Sequence, residues 1–312
     1  MASFLLQKTI RLLTVLFGVS LLTFSVLHLI PGDPVRVMLG DMGGGAAGDQ
    51  SQAAYENLRR QLGLDRPLPV QHVRYIEDAV QGDLGRSFQT QRTVMSSVAN
   101  SLPSTLVLTA ASMVITVILG VVLGVLAALQ HHTWWDTGIM VLSLIGLAMP
   151  SFWLGLILLM IFSFQLEWFP VRGTGIGSLV LPAITLGLGG AGVIARLARA
   201  SLLEVLRNEY VTTARAKGLK ETLVITRHAL TNALIPVVTM AGLQFGQLLA
   251  GAFIVETVFA RPGIGRLLVD AVLSRDYPMV QGVALVAAVG YVIVNFLVDL
   301  SYAWLDPRIR HA

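Results

Sequence analysis

The chain has 312 residues, of which 54% are hydrophobic and only 13% are charged. Soluble domains carry roughly 25% charged residues, so this composition excludes an ordinary soluble protein and is typical of a chain embedded in a bilayer. The net charge of +4 could suggest a nucleic-acid-binding protein, but the cations lie at the ends of apolar stretches, where membrane topology uses them. The absence of cysteine from the sequence excludes disulfides, thiolate metal sites and thiol catalysis.

Six apolar stretches are long enough to cross a membrane as helices, which takes about 20 residues each. They comprise residues 10–30, 103–129, 138–165, 178–200, 232–256 and 280–304. The first stretch follows Lys8 and Arg11 and is too long for the core of a signal peptide, so we interpret it as a retained helix. The sequence therefore predicts an all-α polytopic membrane protein with six transmembrane helices.

The distribution of lysine and arginine predicts the orientation of these helices. One face carries eleven of them, from Lys8 to Arg310, whereas the short loops of the other face carry four. Because positive residues near helix ends stay inside, we expect both termini in the cytoplasm and residues 31–102 outside it. Apolar residues at helical spacing predict two amphipathic helices in this extracytoplasmic insertion. The predicted parts are residues 1–30 with the first helix, the insertion 31–102, and a five-helix core at 103–312 that includes a cytoplasmic segment at 204–232.

Helix-breaking and polar residues inside the spans suggest a transport path. Pro150, Pro182 and Pro236 each remove a backbone donor, so each is expected to bend or break its helix. In lipid, the freed carbonyl needs a partner, which favours a position facing other helices or a water-filled path. The candidate path-lining residues are Met149, Pro150, Ser151, Gln244 and Gln247, the two glutamines being expected to share a helix face.

No catalytic motif accompanies the spans. A phosphate-binding loop needs Gly-Lys, and none of the three lysines follows a glycine. Gly187, Gly189 and Gly192 match the Gly-x-Gly-x-x-Gly pattern of dinucleotide sites, but they lie inside a predicted span, where close helix packing is the favoured interpretation. We therefore predict that the chain is not an enzyme, holds no metal or cofactor, and leaves any ATP hydrolysis to another chain.

Acidic residues at the middle of a span would favour a different class of protein, an ion-coupled carrier that works alone. The sequence places none there. Glu256 lies near a span end, from which its side chain is expected to reach the interface or a neighbouring loop. The carrier hypothesis is therefore weakened, and a membrane enzyme, the third alternative, lacks a catalytic constellation.

The cytoplasmic segment at 204–232 contains the strongest local signal. Asn208 is a good N-cap residue, and Gly218 stands where a helix needs a left-handed residue to end. Tyr210, Val211 and Ala214 form an apolar side between them. A solvated loop does not need a capped helix with an apolar stripe, so we predict a docking element for a cytoplasmic partner.

At this segment the sequence resembles the coupling-helix (EAA) motif of ABC importer permeases, in the form found in the dipeptide, oligopeptide, nickel and glutathione branch. Position 213 carries Thr where the name-giving motif has Glu, a departure that this branch commonly tolerates. Similar motifs follow the whole chain in order. They are His28-x-x-Pro31-Gly32-Asp33-Pro34, Gln61-Leu62-Gly63-Leu64-Asp65-Arg66-Pro67-Leu68, Gly82-Asp83-Leu84-Gly85-Arg86-Ser87, Thr213-Ala214-Arg215-Ala216-Lys217-Gly218-Leu219, His228-Ala229-Leu230-x-Asn232-Ala233-Leu234-Ile235-Pro236, Val255-Glu256-x-x-Phe259-x-x-Pro262-Gly263-x-Gly265, Arg275-Asp276-Tyr277-Pro278 and Asp306-Pro307-Arg308-Ile309-Arg310.

The resemblance implies a type I importer fold in a bacterial inner membrane, with this chain as the first of two homologous permeases. It also implies two cytoplasmic ATPase subunits, which bind ATP and Mg, and an extracytoplasmic solute-binding protein. The residues implied to couple the ATPases to the pore are Glu209, Tyr210, Thr213, Ala214, Arg215, Ala216, Lys217 and Gly218. The solute stays open between a dipeptide, a longer peptide, glutathione and a nickel chelate.

Overall fold

The computed structural model describes residues 2–29, 35, 49–61, 64–171, 173 and 175–305, and these residues form helices and loops without a β-strand. The all-α prediction is confirmed for this part of the chain. The helices are α1 (Ala2–Leu29), α2 (Asp49–Gln61), α3 (Leu68–Val80), α4 (Val94–Leu129), α5 (Trp134–Ala148), α6 (Ser151–Leu158), α7 (Gly177–Val205), α8 (Glu209–Ala216), α9 (Ile235–Val258), α10 (Ile264–Leu273) and α11 (Tyr277–Leu305). The motif residues at 31–34, 62–63 and 306–310 lie outside the described residues.

Two stretches depart from regular α-helix. A π-helix, Leu159–Gln165, continues α6. Residues 221–233 form an irregular helical segment, in which the π-helix Val224–Ala229 lies between two short α-helical turns. Helices α2 and α3 fall within residues 31–102, as predicted, whereas α10 was not anticipated from the sequence.

The long apolar helices agree in part with the predicted spans. Four helices are long and apolar enough to cross a membrane: α4, α7, α9 and α11, the last over Tyr277–Val298. Helices α5 and α6, with its π-helical continuation, pass the same test together but are bent by 106° at the break between them. In α1 the apolar stretch is shorter, Leu12–Ser25. The described residues thus support four or five spans, and the count of six stays a prediction.

The three span prolines have different effects. Pro150 stands in the break between α5 and α6, as predicted. Pro236 is the second residue of α9, where the missing N–H has no helical partner to lose. Pro182 lies inside α7, which continues through it. Of the predicted bend or break, a break is present at Pro150 and absent at Pro182, since the neighbouring turns of a long buried helix tolerate one lost bond.

Contacts divide the chain into two units, one with residues 1–103 and 263–293 and one with residues 104–262 and 294–312. Residues 263–293 group with residues 1–103 in the first unit. The predicted parts 1–30, 31–102 and 103–312 stay a prediction.

In the second unit, α4 approaches α7 closely at two glycines. A Cβ atom added at Gly120 would lie 2.6 Å from the Cβ atom of Ile194, and one added at Gly124 would lie 2.5 Å from the carbonyl oxygen of Ala195. Any larger residue would push the helices apart, as expected for small residues in membrane helix packing. The contact holds α4 against the helix that leads into α8.

Candidate coupling site and translocation path

Helix α8 has the limits that the sequence predicts. Asn208 precedes it in an extended conformation, and Lys217 follows it. Gly218 has a φ of +77°, the left-handed conformation that glycine adopts without steric cost. The side chain of Asn208 makes no capping hydrogen bond, so this detail of the prediction is wrong. The helix therefore ends at its left-handed glycine, and its start has no side-chain cap from Asn208.

The apolar side of α8 packs within the chain. Val211 and Ala214 are buried against Val224 of the 221–233 segment, with Val205 and Leu206 of the preceding turn beside them. The prediction that this stripe is a free docking face is wrong for Ala214, which is 8% exposed. An apolar pair on a short helix in water finds its cover in the nearest segment of its own chain.

The remaining surface of α8 faces outward. The exposed residues of the helix and its C-cap are Glu209, Tyr210, Thr212, Thr213, Arg215, Ala216 and Lys217. Six of the predicted coupling residues thus share one accessible and largely polar surface, which we call the α8 outer face. Such a surface suits a reversible contact with a soluble partner, because it exposes little apolar area when free.

Two polar contacts brace α8 against the segment that follows it. Near its start, Asn232 Nδ2 donates to Tyr210 Oη at 2.9 Å and to the carbonyl oxygen of His228 at 3.1 Å. Near its end, Arg215 Nη2 donates to Glu221 Oε1 at 2.6 Å and Arg215 Nε donates to Glu221 Oε2 at 3.1 Å. The hydrogen bonds from Arg215 lower the pKa of the Glu221 carboxyl. These contacts connect both ends of α8 to the 221–233 segment.

In the same unit, an ion pair fixes the loop between α4 and α5. Arg199 of α7 donates from Nε and Nη2 to the two carboxylate oxygens of Asp136, each at 2.6 Å. His131 Nδ1 lies 3.0 Å from the same carboxylate. A two-pronged guanidinium–carboxylate pair is directional as well as strong. It ties the start of α5 to the helix that leads into α8, a link that sequence reasoning missed because 63 residues separate the partners.

The predicted path-lining residues fall into two places. Met149, Pro150 and Ser151 lie at the break between α5 and α6, where Pro150 is exposed. Gln244 is buried in α9, with Nε2 placed 3.5 Å from the carbonyl oxygen of Gly190 in α7, whereas Gln247 is exposed. The two glutamines differ in burial although they lie on neighbouring positions of α9, because a step of three residues leaves them about 60° apart and the α7 contact covers only Gln244.

Glu256 is more buried than its position near a span end suggested. Its side chain is fully inaccessible and accepts a hydrogen bond from Thr105 Oγ1 of α4 at 2.5 Å. The backbone N–H of the buried Arg261 donates to the carbonyl oxygen of Glu256. Of the two expected positions, the interface is wrong and the neighbouring loop holds, since Arg261 in the loop after α9 lies close enough to interact with the carboxylate and a hydroxyl of α4 binds it inside the chain.

In the first unit, two of the resembling motifs meet at one buried carboxylate, which we call the Ser87–Asp276 clasp. Asp276 accepts hydrogen bonds from Ser87 Oγ at 2.5 Å, from the backbone N–H of Phe88 at 3.1 Å and from that of Met279 at 3.4 Å. Gln89 Nε2 donates to the carbonyl oxygen of Ser274. The clasp thus caps α11 and fixes the loop before α4 with the same side chain.

Two family models together match most of the chain. The family described as "Binding-protein-dependent transport system inner membrane component" matches residues 120–311, and the corresponding N-terminal family matches residues 1–109. The chain is 45% identical to the di/tripeptide transport system permease protein DppB of Pseudomonas aeruginosa, over 100% of this chain and 99% of that protein. It is 44% identical to the glutathione transport system permease protein GsiC of Escherichia coli K12, over the full length of both.

Two solved structures have a similar fold. An inward-facing form of the MetNI methionine ABC transporter matches with a TM-score of 0.58 and 16% identity, over 68% of this chain and 97% of that chain. An amino acid ABC transporter matches with a TM-score of 0.52 and 17% identity, over 66% of this chain and 92% of that chain. At identities of 16% and 17%, this similarity shows that the chain shares their fold.

Proposed function

Because the chain belongs to the family of binding-protein-dependent transport system inner membrane components, we propose that it forms half of the pore of an ABC importer as the first of two homologous permeases. Two ATPase subunits bind ATP and Mg beneath it, and a solute-binding protein delivers the solute from outside. The chain crosses the membrane six times with both termini in the cytoplasm. Residues 31–102 lie on the extracytoplasmic side.

The observation that carries this proposal is the construction of α8. The helix buries its apolar side within the chain and presents the α8 outer face, while the contacts at Tyr210 and Arg215 fix it to the 221–233 segment. That segment leads through Leu234 directly into α9. A push on the outer face by an ATPase would therefore be carried into a membrane-spanning helix, which is what alternating access requires.

Two matched substitutions test this coupling role. Ala216→Arg places a long cation on the exposed outer face and leaves the packing untouched, whereas Gln130→Arg adds the same charge to an exposed site on the α4–α5 loop. We expect Ala216→Arg to insert normally but to weaken ATPase association at least about tenfold, the equivalent of 1.4 kcal/mol. The control should bind and transport like the unmodified chain. Normal ATPase binding by both variants would exclude α8 as the coupling element.

The solute that we propose is a peptide of two or more residues or glutathione. Support comes from the relatives, whose names specify di/tripeptides and glutathione and which align over the whole chain. These solutes share a peptide bond and a free carboxylate. Native mass spectrometry of the cognate binding protein identifies its ligand directly. A nickel chelate as the bound species would redirect the proposal to the other solute of the branch.

Cysteine labelling tests the topology, since the sequence contains no cysteine. Asn57 is an exposed residue of α2. We expect Asn57→Cys to react with a membrane-impermeant maleimide added from outside spheroplasts, and Gln130→Cys to react only after lysis. The reverse pattern would overturn the orientation.

A further inference from the structure

Helix α3 lies beside the apolar part of α1 and not beyond its end. His72 Nε2 lies 3.2 Å from Ser20 Oγ, and the imidazole ring lies 5.9 Å from the ring of Phe17 and 5.1 Å from that of Phe24. Ser20 belongs to the apolar stretch Leu12–Ser25. It lies five residues before the end of that stretch, which is about 8 Å along a helix. A helix that packs against α1 at this level shares the environment of the apolar part of α1.

The side chains of α3 fall on three sides of the helix. His72 is 7% exposed and faces α1. Val73 and Val80 are 54% and 83% exposed, and a step of seven residues places them along one side, next to the half-buried Ile76. Exposed charged residues occupy the remaining side together with Val70, which is 41% exposed: Arg74, Glu77 and Asp78. Helix α1 therefore covers only part of the apolar surface of α3.

We propose that α3 is an interfacial membrane helix, whose Val73 and Val80 contact the acyl-chain boundary of the outer leaflet and whose charged side faces the headgroups and water. A helix with one apolar and one charged side takes up this position in a bilayer. A free helix in water would instead leave both valines unprotected, at a cost for each that follows its exposed apolar area.

Lipid is favoured over a protein partner because α1 itself exposes apolar side chains on either side of its contact with α3. Phe17 contacts His72 and is itself 54% exposed. On the same apolar stretch, Leu13, Leu21 and Leu22 are exposed as well. The proposal refines the extracytoplasmic insertion: its second helix lies in the membrane surface. It rests on the crossing of α1 proposed above and is independent of the solute.

Spin labels on single cysteines test the position of α3 in the full importer, reconstituted in lipid nanodiscs. Val73→Cys and Arg74→Cys are adjacent residues that lie on the apolar and charged sides. Collisions with oxygen, which concentrates in lipid, are compared with collisions with a water-soluble nickel complex. We expect the oxygen-to-nickel ratio to be several-fold higher at position 73 than at position 74. Leu22→Cys serves as the lipid-facing reference on α1.

Any other result would contradict the proposal or its premise. A nickel-accessible label at both positions would show that α3 stands in water. A label at position 73 shielded from both reagents would show that protein covers the valines. Lipid-like readings at both positions would contradict the interfacial orientation. A water-like reading at Leu22→Cys would instead reject the crossing of α1, which separates failure of the premise from failure of the inference.

Discussion

The contacts of Arg215 with Glu221 and of Tyr210 with Asn232, which we call the α8 brace, join a helix to the segment that follows it, whereas the Ser87–Asp276 clasp joins two loops far apart in sequence. The two also differ in exposure. The Asp276 residue is 2% exposed, whereas the side chains of Arg215 and Glu221 are 41% and 54% exposed. Water competes for an exposed ion pair and leaves it little net stability, while a buried hydrogen-bonded carboxylate has no alternative partner. The clasp therefore fixes its loop, and the α8 brace orients a helix that is able to shift during a transport cycle.

The clasp and α8 also differ in the interactions that fix their backbones. Asp276 holds its loop through donors from Ser87, Phe88 and Gln89, and it also accepts from the backbone N–H of Met279 in α11. Helix α8 depends on one left-handed glycine, Gly218, and on an apolar contact with the 221–233 segment. Loss of one donor leaves the clasp partly intact, but loss of its acceptor removes every bond at once. We expect changes at the clasp to affect stability and changes at α8 to affect coupling.

The largest effect is expected from Asp276→Ala. The buried Ser87 hydroxyl and three backbone N–H groups would lose their acceptor, at a cost of about 3 kcal/mol in folding stability. The purified importer should melt at a lower temperature, and the loop at 82–93 should become sensitive to proteases. Asp270→Ala is the control, because its exposed carboxylate only reaches Arg266 at 3.6 Å. Equal melting temperatures for the two variants would remove the distinction between clasp and brace.

A smaller and different effect is expected from Gly218→Val. The φ of +77° costs a residue with a Cβ atom roughly 1–2 kcal/mol, which is enough to tilt or unwind the end of α8. The protein should insert and assemble its spans, while import and ATPase stimulation fall together. Gly218→Asn should restore much of both, since asparagine tolerates the left-handed region. Normal import by the valine variant would show that the helix end does not need this conformation.

The pair Ala214→Arg and Ala216→Arg sharpens the contrast within α8 itself. Ala214 is buried against Val224, so an arginine there should displace α8 and lower the stability of the cytoplasmic segment. The exposed Ala216 should tolerate arginine in folding and lose only ATPase binding. Limited proteolysis of residues 204–232 separates the two outcomes. Identical protease patterns would mean that the buried and outer faces are wrongly assigned.

The smallest effect is expected from Glu221→Gln, which weakens the exposed brace. The pKa of the Glu221 carboxyl is lowered by hydrogen bonds from Arg215. The contribution of this pair is therefore complete above the ordinary glutamate pKa of 4.5 and is lost as the pH falls through the lower folded-state value. A spin label at Thr212→Cys should become more mobile over this acid range in the parent chain, whereas in the glutamine variant it should be mobile throughout. A parent label unaffected by acid would exclude a bracing role for the pair.

Local signals in the sequence located α8 well, because a cap position and a glycine act within one helical turn. Gly218 was assigned its left-handed conformation from its position alone. The burial of Ala214, the bond between Ser87 and Asp276 and the enclosure of Glu256 were not predicted. Each depends on a segment distant in sequence, or on the direction in which a short helix turns its apolar side. Composition and spacing do not specify either property.

Photo-crosslinking from the α8 outer face tests the coupling account most directly. The cysteine-free chain permits a single Ala216→Cys, modified with a benzophenone maleimide, in the assembled importer. We predict crosslinks to an ATPase subunit whose yield changes when ATP is trapped, and none from Gln130→Cys under the same conditions. Absence of any ATPase crosslink from position 216, in an importer that still transports, would contradict the account.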